Sequence, residues 1–530
     1  MDTLVDLLRE SCARYADLPA LSYSAGKSER WSWRYATLWD YALRVAGHLR
    51  GAGVAPGDRV IIWGANRPEW VAAFFGALAT GATVVPMDVR SRPDFLDRLI
   101  EQTSPTHIFV GKEQASHLKA GHHPTATLLD TLRPTVADAP PAAPAAVDAS
   151  DIAELVFTSG TTGNPKGVIL THANIMANVV QSRFAIHPTP KNRVASLLPL
   201  SHMFEQMGGL FVPMYGGASV VYIGSLRPDV IFDAMSHYRV TNMSCVPQVL
   251  QLFRDGIERE VRKQGKEQLF ARLLRVAPRL PIWVRRRLFS QVHARMGGSF
   301  EFFVSGGAYL DPSLARWWES LGVKVVQGYG TTEASPVISA DTLDDRLPEA
   351  VGRPLPGVVV KIGEDGEILV RGANVTQGYW QNPTATAEAF TAGWYRTGDF
   401  GSLGLDGRLR LIGRKKNLIV LSNGMNVHPE DIEHVLTTQP GVKDAVVLGL
   451  HEGQDVKVHA VLLLEDRDQP PTAIVRAANA RLAAHQHIDG ATVWPEESFP
   501  LTPTLKPKRA DITARVEDLR RGPSMKAGSG

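Results

Sequence analysis

The sequence contains very little cysteine. Only Cys12 and Cys245 occur among its 530 residues. Two thiols cannot build a disulfide framework or a four-thiolate zinc site, and such low usage is typical of reducing compartments. The first residues carry Asp2 and Asp6 and no apolar run, so no secretory signal is indicated. We therefore expect a cytoplasmic protein.

The chain also lacks an excess of charge of one sign. Its 57 Lys and Arg stand against 54 Asp and Glu, a formal charge of +3. This balance excludes nucleic-acid binding by bulk electrostatics, so no nucleic-acid partner is expected. With 44% hydrophobic and 21% charged residues, the composition also excludes a disordered or fibrous chain. The length suits an enzyme of several structural units with large apolar cores.

Long hydrophobic runs without helix breakers are missing as well. The stretches 70–87 and 206–226 are uncharged or nearly so and approach the length of a membrane span, but both contain glycine and proline. Each is better explained as a buried helix, a glycine turn and a buried strand. Their similar order of residues suggests two α/β layers of similar construction.

Composition changes along the chain indicate several units. Residues 133–151 are rich in Pro and Ala and lack periodicity, which predicts a linker. Short β-branched runs then alternate with helix-length segments, as in parallel sheets, and hairpin signals follow. We expect an α/β fold with a large N-terminal domain, 1–413, of two stacked α/β subdomains and a β-rich subdomain. A small, mobile α+β C-terminal domain, 414–521, and a disordered tail, 522–530, complete the prediction.

A glycine- and hydroxyl-rich segment, 158–167, lies between two apolar runs and predicts a strand, a loop and a strand. Its three glycines, four hydroxyls and Lys166 suit a cradle for polyphosphate, in which backbone N–H groups turn toward the ligand. The spacing is not that of a Walker A loop, because Asn164 and Pro165 intervene before the lysine. The alternative is a flexible surface turn.

A second candidate segment is Gly328–Glu333. It begins like a dinucleotide fingerprint but has Glu333 in place of the third glycine. A carboxylate beside a phosphate is repelled unless a divalent cation lies between them, so Glu333 is a candidate Mg²⁺ ligand and Thr332 a phosphate donor. The alternative is an ordinary acid at a helix N-terminus.

Three further positions carry candidate chemistry. Asp399, in a Gly-bounded turn, could accept hydrogen bonds from two sugar hydroxyls, although turn Asp residues are common. The basic run 414–416 falls at the predicted domain boundary, where cations could follow an anionic ligand through a hinge motion. Lys506 lies on a segment with three prolines, which could hold it as a positioned charge; an isolated surface lysine is the alternative.

Taken in order, these segments resemble the adenylate-forming superfamily of acyl-CoA synthetases, nonribosomal adenylation domains and luciferases. The resemblance covers roughly 58–509 and is carried by the motifs at 158–167, 329–333, 395–399 and 413–417. Residues 198–205, 413–419 with 422–424, and 501–506 look most like the long-chain fatty acyl-CoA synthetases. Leu505 before Lys506 departs from the commonest superfamily pattern, and Pro507 stiffens this loop further.

The resemblance implies ATP-dependent activation of a fatty acid to acyl-AMP with release of pyrophosphate, followed by transfer to CoA. It assigns Thr158 and Glu333 to Mg²⁺, and Lys506 to the acyl carboxylate and the α-phosphate during adenylation. It implies rotation of the small domain about Lys416, which would bring Ser422, Asn423 and Gly424 to the thiol channel. His202 resembles a gating residue beside the acyl pocket; the alternative is a core histidine. The residues assigned to ATP or AMP are Thr158, Ser159, Gly160, Thr161, Thr162, Gly163, Lys166, Gly306, Gly307, Ala308, Gln327, Gly328, Tyr329, Gly330, Thr331, Thr332, Asp399, Arg414 and Lys506.

Other functions remain open from the sequence. A medium-chain or aryl acid could replace the long-chain acid, and a carrier-protein phosphopantetheine could replace free CoA. A non-catalytic, nucleotide-responsive lipid-binding protein is the alternative from a different class, and the retained Thr158, Lys166, Glu333, Asp399 and Lys506 argue against it. Acyl chain length and oligomeric state do not follow from these residues.

One segment, 254–297, is strongly basic, and we call it the basic insert. It carries twelve Arg or Lys against four Asp or Glu, a net +8, whereas the whole chain is only +3. Apolar residues, Trp283 among them, alternate with these cations as they do in helices that rest on anionic lipid. The sequence thus predicts peripheral contact with the cytoplasmic face of a membrane; a solvated basic helix is the alternative.

Overall fold

A computed structural model describes residues 1–118, 124–158, 165–421, 425–452, 455–502 and 507–521. Clustering of spatial contacts divides the chain into two units. Unit 1 comprises Met1–Val360, Val370–Arg396 and Gly407–Leu409, and unit 2 comprises Lys361–Leu369, Thr397–Asp406 and Arg410–Gly530. The sequence analysis predicts that the small domain begins at residue 414, whereas the last run of unit 2 begins at Arg410.

The larger sheet of unit 1 has nine strands. Six neighbouring strands run parallel, and antiparallel strands flank them at both ends. In sheet order they are β15 (Arg353–Pro354), β14 (Val337–Ala340), β13 (Lys324–Gly330), β12 (Phe302–Ser305), β11 (Asn242–Cys245), β9 (Arg193–Ser196), β10 (Ser219–Ile223), β1 (Pro19–Ser24) and β2 (Arg30–Arg34).

The second sheet of unit 1 has six strands. All neighbours are parallel except the last pair, which forms an antiparallel hairpin around residues 159–164. In sheet order they are β6 (Thr125–Leu128), β5 (His107–Val110), β3 (Arg59–Trp63), β4 (Thr83–Met87), β7 (Ile152–Thr158) and β8 (Lys166–Thr171). Two mostly parallel sheets confirm the predicted α/β class.

Sixteen helices of unit 1 lie between or beside these strands in the described chain. They are α1 (Leu4–Arg14), α2 (Tyr35–Gly51), α3 (Pro68–Ala79), α4 (Pro93–Thr103), α5 (Lys112–Ala115), α6 (Leu132–Thr135), α7 (His172–Ile186), α8 (Met203–Gln206), α9 (Val212–Tyr215), α10 (Pro228–His237), α11 (Pro247–Lys263), α12 (Glu267–Val276), α13 (Ile282–Leu288), α14 (Ser290–Arg295), α15 (Pro312–Ser320) and α16 (Pro383–Ala389).

The uncharged stretches found in the sequence are core elements of unit 1. Every residue of α3 is buried, and a glycine turn joins it to the buried strand β4, as predicted. The stretch 206–226 likewise contains the end of α8, a π-helical turn at Met207–Phe211, α9 and β10. No helix in the described part of the chain has the length and hydropathy of a membrane span.

Residues 133–151, predicted as a linker, begin with the last three residues of α6 and then follow a largely irregular path. The N–H of Ala142 donates to the carbonyl of Leu43 in α2 at 3.0 Å, and that of Ala145 donates to Ala79 at the end of α3 at 2.8 Å. These bonds satisfy backbone groups that a proline-rich segment cannot pair internally.

The basic insert is helical, spanning most of α11 and all of α12, α13 and α14. Phe270 fixes α12 by ring contacts with Phe289 and Trp317, at centroid distances of 5.6 and 6.3 Å. No residue of α12 or α13 is fully buried, so both helices lie at the surface of unit 1.

Five further strands form a separate sheet, and the division of the chain into two units falls within four of them, all except the strand Phe390–Thr391. They are β16 (Val359–Ile362), β17 (Glu367–Arg371), β18 (Phe390–Thr391), β19 (Trp394–Leu403) and β20 (Leu409–Arg414).

Unit 2 has a three-stranded sheet of β23 (Val442–Glu452), β24 (Asp455–Leu464) and β25 (Gly490–Val493). Side chains that alternate along β23 and β24 belong to two separate apolar clusters. One helix of this unit begins at Pro429, a position at which proline and the acids that follow it are favoured. The remaining elements are β21 (Ile419–Val420), β22 (Asn426–Val427), α17 (Pro429–Thr437), α18 (Pro471–Asn479) and α19 (Arg509–Arg521). Strands and helices together agree with the predicted α+β character.

Candidate active site

The hairpin β7–β8 brings two predicted phosphate-site residues together. Thr158 is the last residue of β7 and Lys166 the first of β8, and the two are direct partners across the ladder. The Thr158 hydroxyl donates to the carbonyl oxygen of Lys166 at 3.5 Å. Both side chains are half-buried, so they flank the mouth of the predicted phosphate loop.

Glu333 lies in a short 3₁₀ turn, Thr332–Ala334, that follows β13. The chain can pass here because Gly330 has no side chain: a Cβ at this position would fall 1.7 Å from the carbonyl oxygen of Pro336. In a dinucleotide-binding fingerprint the glycines lead into a long helix. Here a short 3₁₀ turn follows Gly330 instead, which agrees with the departure from that fingerprint seen in the sequence.

Residues 376–380 were not identified from the sequence, and they join these two parts of the site. The N–H of Ile169 in β8 donates to Gly378 at 3.1 Å, and the N–H of Trp380 donates to Gly167 at 2.7 Å. The N–H of Thr376 donates to the carbonyl oxygen of Glu333 at 2.7 Å. This segment therefore fixes the turn of Glu333 against the strand that begins at Lys166.

Tyr379 contacts both charged residues of the site. Its hydroxyl donates to Oε1 of Glu333 at 2.9 Å, and its ring centroid lies 5.5 Å from Nζ of Lys166. Burial, with the adjacent Glu333 carboxylate, raises the pKa of Tyr379, so the phenol stays a neutral donor. Burial also raises the pKa of Tyr395 well above its usual value. The one signal in the sequence that could have identified this segment is Gly378-Tyr379-Trp380, an aromatic pair that follows a glycine in a polar stretch.

The residues predicted for adenine come from two adjacent strand ends. Ser305 of β12 and Gln327 of β13 are register partners, so Gly306 and Gly328 follow at the same edge of the sheet. A Cβ at Gly306 would lie 3.2 Å from the ring of Phe204 and 3.3 Å from the carbonyl oxygen of Gly328. A flat, close-packed wall of backbone results, which suits an aromatic base.

Asp341 supports this wall and was missed in the sequence. The N–H of Gln327 donates to Oδ2 of Asp341 at 3.3 Å, and the Gln327 side chain donates to the carbonyl oxygen of Pro348 at 3.0 Å. Burial raises the pKa of Asp341 to about 7. Nearby, the hydroxyl oxygen of Thr331 is buried beside the phenol of Tyr395, with which its side chain interacts.

His202, the predicted acyl-pocket residue, precedes α8 and pairs with a buried carboxylate. Its Nε2 lies 2.9 Å from Oδ2 of Asp88, which follows β4. Burial opposes ionisation of Asp88, but the hydrogen bond and charge of His202 lower its pKa below the usual value. About a third of the His202 side chain is exposed, so it is not a core histidine. The sequence did not identify Asp88.

In unit 2, the two residues predicted for ribose lie side by side. Nε of Arg414 is 3.1 Å from Oδ1 of Asp399, and Asp399 is buried. The adjacent Lys415 contacts Asp365 and Glu367 at 3.1 and 3.2 Å, whereas the predicted hinge residue Lys416 is exposed. Strand β20 thus ends at the first of three consecutive cations, two of which are ion-paired.

Several predicted site residues lie outside the described residues. They are Ser159, Gly160, Thr161, Thr162, Gly163, Ser422, Asn423, Gly424 and Lys506.

The donors predicted for a metal are the hydroxyl of Thr158 and the carboxylate of Glu333. Oxygen ligands of this kind suit Mg²⁺, which takes one or two protein oxygens and completes its shell with phosphates and water. Oε1 of Glu333 is occupied by Tyr379, and Oε2 has no hydrogen-bond partner among the described residues. Across the described ranges there is no group of three or more His, Cys, Asp or Glu that could hold a metal ion. The site therefore fits a metal held mainly by a phosphate ligand.

Comparison with known proteins gives matches over most of the chain. Residues 8–380 match the model of the family described as AMP-binding enzyme, and residues 416–518 match the AMP-binding enzyme C-terminal domain. The long-chain-fatty-acid–CoA ligase FadD15 of Mycobacterium bovis is 33% identical over 444 residues, covering 76% of this chain and 72% of that protein. The feruloyl-CoA synthase of an Amycolatopsis species is 31% identical over 439 residues, covering 78% and 80%.

Among solved structures, ATP-bound MatB from Rhodopseudomonas palustris is similar to this chain with a TM-score of 0.80 and 25% identity. The match covers 97% of this chain and 99% of that structure. The agreement extends across both the large and the small domain of the predicted fold class.

Proposed function

Because the chain belongs to the AMP-binding enzyme family, we propose that it is an AMP-forming ligase that activates a long-chain fatty acid with ATP and transfers it to CoA. Acid–CoA ligation through an acyl-adenylate is the activity that the family supports, with ATP, Mg²⁺ and CoA as its small-molecule requirements. The observation that carries the proposal is the convergence of Thr158, Lys166 and Glu333 beside one loop.

In the first step, an oxygen of the acid attacks the α-phosphorus of ATP, and the bond to pyrophosphate breaks. Negative charge accumulates on the phosphoryl oxygens, so fixed donors aimed at them supply most of the acceleration. Mg²⁺ held by Thr158 and Glu333 would neutralise phosphate charge. We assign Lys166 and the 159–167 loop to the β- and γ-phosphates and Thr332 to the α-phosphate.

The remaining assignments follow the resemblance found in the sequence. Gly306 to Ala308 and Gln327 to Tyr329 would bind adenine, and Asp399 with Arg414 would bind ribose. Lys506 would contact the acyl carboxylate and the α-phosphate. In the second step the thiol of CoA attacks the acyl carbon and AMP leaves; we propose that rotation about Lys416 brings Ser422, Asn423 and Gly424 to the thiol.

A long acyl chain is the substrate class that we propose. It is supported by the match to a long-chain ligase and by the exposed apolar residues of the basic insert. The match to a feruloyl-CoA synthase is of similar strength, which makes an aryl acid the principal alternative. Transfer to a carrier-protein phosphopantetheine in place of CoA is a second alternative.

We propose further that the basic insert contacts the cytoplasmic face of a membrane. Its helices expose Trp283, Leu269 and Val276, whose accessible fractions are 70%, 56% and 49%. Arg272, Arg275, Arg279 and Arg287 are exposed between them. No ion pair is recorded for these four arginines within the described chain, so their charge is available to anionic headgroups.

The first experiment measures AMP release from ATP and Mg²⁺ with a panel of acids from acetate to stearate, together with ferulate and benzoate. Each acid is assayed with and without CoA. We expect AMP release that depends on CoA and is greatest with long-chain acids. A maximum with ferulate or a short acid would overturn the long-chain proposal and leave the ligase reaction standing.

Two other outcomes would change the reaction itself. Pyrophosphate exchange that depends on the acid, without CoA-dependent turnover, would indicate a carrier-protein acceptor. ATP binding without exchange or AMP release for any acid would indicate the non-catalytic lipid-binding alternative.

Membrane contact is tested by co-sedimentation with phosphatidylcholine vesicles with and without phosphatidylglycerol. We expect binding only to the anionic vesicles, lost in the triple variant Arg272→Gln, Arg275→Gln, Arg279→Gln and weakened in Trp283→Ser. A matched control removes three exposed cations elsewhere, by Lys27→Gln, Arg50→Gln and Lys191→Gln. Equal loss in the control would show a non-specific charge effect and contradict a dedicated surface.

A further inference from the structure

Two groups of opposite charge contact one aromatic residue. The ammonium of Lys166 is 5.5 Å from the centroid of the Tyr379 ring, and Oε1 of Glu333 accepts the Tyr379 hydroxyl at 2.9 Å. Lys166 and Glu333 are both described, and they form no ion pair with each other. The carboxylate is bound by a neutral phenol, and the ammonium faces a ring.

We propose that Tyr379 is a positioning residue that keeps Lys166 and Glu333 from pairing with each other and so presents each to a different part of Mg·ATP. The phenol binds one carboxylate oxygen of Glu333 and leaves the second for the metal. The ring gives the lysine a cation–π partner, which holds it without neutralising its charge.

The need for such a separator follows from electrostatics. Before ATP binds, a lysine and a carboxylate that contact the same side chain in a half-buried site attract each other, because little water screens them. A closed ion pair would have to break before either group could bind its ligand, and that cost would appear as weaker Mg·ATP binding. A neutral donor and a ring remove this competition.

Tyr379 is held firmly enough for this role. Its N–H donates to the hydroxyl of Thr386 at 3.0 Å, and it forms a bridge with Val168 of β8. The flanking carbonyl of Gly378 and N–H of Trp380 also bond to β8, at 3.1 and 2.7 Å. Its backbone is therefore fixed to the strand that carries Lys166, and its hydroxyl spans the remaining distance to Glu333.

This inference rests on the proposed roles of Lys166 and Glu333, and its test measures equilibrium binding rather than turnover. ATP binding to the enzyme without acid or CoA is followed by calorimetry over a series of Mg²⁺ concentrations. For Tyr379→Phe, which keeps the ring, we expect the Mg²⁺ requirement to rise about tenfold, as is typical when the partner of a metal-binding carboxylate is lost. ATP affinity at saturating Mg²⁺ should change little.

Tyr379→Leu removes the ring as well and should weaken ATP binding even at saturating Mg²⁺, because Lys166 can then pair with Glu333. The extra loss relative to Tyr379→Phe should vanish in a Lys166→Met background, where no pair can form. Tyr41→Phe is the matched control, since it removes the hydroxyl of a half-buried tyrosine in α2. Thermal unfolding of each variant identifies any that fail to fold.

The outcomes separate this inference from the site proposal. An unchanged Mg²⁺ requirement in Tyr379→Phe, with the wild type binding Mg·ATP normally, would overturn the role of Tyr379 alone. An extra loss in Tyr379→Leu that persists in the Lys166→Met background would overturn the separator argument, because the loss would then be structural. Failure of the wild type to bind Mg·ATP would instead overturn the site proposal.

Discussion

The segment around Tyr379 and the basic insert use their charged side chains in opposite ways. At Tyr379, a lysine and a carboxylate are each held by a neutral neighbour. In the basic insert, Arg272, Arg275 and Arg279 are exposed, and no protein partner is recorded for them in the described ranges. The first arrangement fixes geometry for a small ligand, whereas the second leaves charge available to an extended anionic surface.

Removing a held charge should cost far more activity than removing an exposed one. For Glu333→Gln we expect the rate of acid-dependent pyrophosphate release to fall about 10²- to 10³-fold, since a neutral amide is a poor ligand for Mg²⁺ and stabilises no positive charge. Glu101→Gln, an exposed carboxylate in α4, is the control and should keep full activity. Equal rates for the two variants would contradict the metal role.

The second prediction concerns Lys506, which lies outside the described residues, and tests whether this lysine acts at the α-phosphate during adenylation. We expect Lys506→Ala to slow adenylation by about 10²-fold or more while leaving thiolysis of supplied acyl-AMP intact, because only the first step needs a cation at the α-phosphate. Lys508→Ala is the matched control, since Lys508 lies two residues later and is exposed at 47%. Equal loss in both half-reactions for Lys506→Ala would contradict its assigned role.

Much of the fold could be predicted from the sequence because its signals are local. The helix, glycine turn and strand of 70–87 appeared as predicted, as did the strands on either side of the phosphate loop. Each of these depends on an apolar run, a glycine or a proline within a short window. The family was also identified correctly, since its motifs are contiguous.

The partners of the motif residues could not be predicted, because they come from distant parts of the chain. Tyr379 is 46 positions from Glu333, and Asp88 is 114 positions from His202. Neither lies in a recognisable motif, and pairing at such separations depends on how the sheets stack. The roles of Lys506 and of residues 422–424 stay predictions.

Buried histidines give a further comparison between buried and exposed side chains. A buried imidazole nitrogen that accepts a hydrogen bond can do so only while it is unprotonated. Nδ1 of His172 accepts the N–H of Leu4 at 3.2 Å, and burial lowers the pKa of His172 to about 4. The unfolded chain therefore binds more protons between about pH 6.5 and pH 4, so stability is complete above this window and is lost as the pH falls through it. By pH 5 the loss should be on the order of 2 kcal/mol.

Chemical denaturation at pH 7 and pH 5 measures this effect. His172→Asn should lower stability at pH 7 and show a smaller decrease on going to pH 5 than the wild type. His237→Asn is the control: His237 is an exposed histidine, and it should reproduce the wild-type decrease. An unchanged pH dependence in His172→Asn would show that other groups, such as His107, whose pKa burial also lowers to about 4, account for the decrease.

The smallest expected effect lies within the basic insert, where held and exposed arginines occur in neighbouring helices. The guanidinium of Arg285 donates to the carbonyl oxygens of Leu280, Glu319 and Pro278 at 2.7, 2.9 and 2.8 Å. Arg285→Ala should destabilise the protein by about 1–3 kcal/mol, because three carbonyl groups lose a charged donor. Arg275→Ala should change the free energy of unfolding by less than about 0.5 kcal/mol, as is usual at exposed sites. Equal destabilisation by the two substitutions, measured by denaturant titration, would mean that Arg275 has a structural role. Its charge could then no longer be counted as available to lipid.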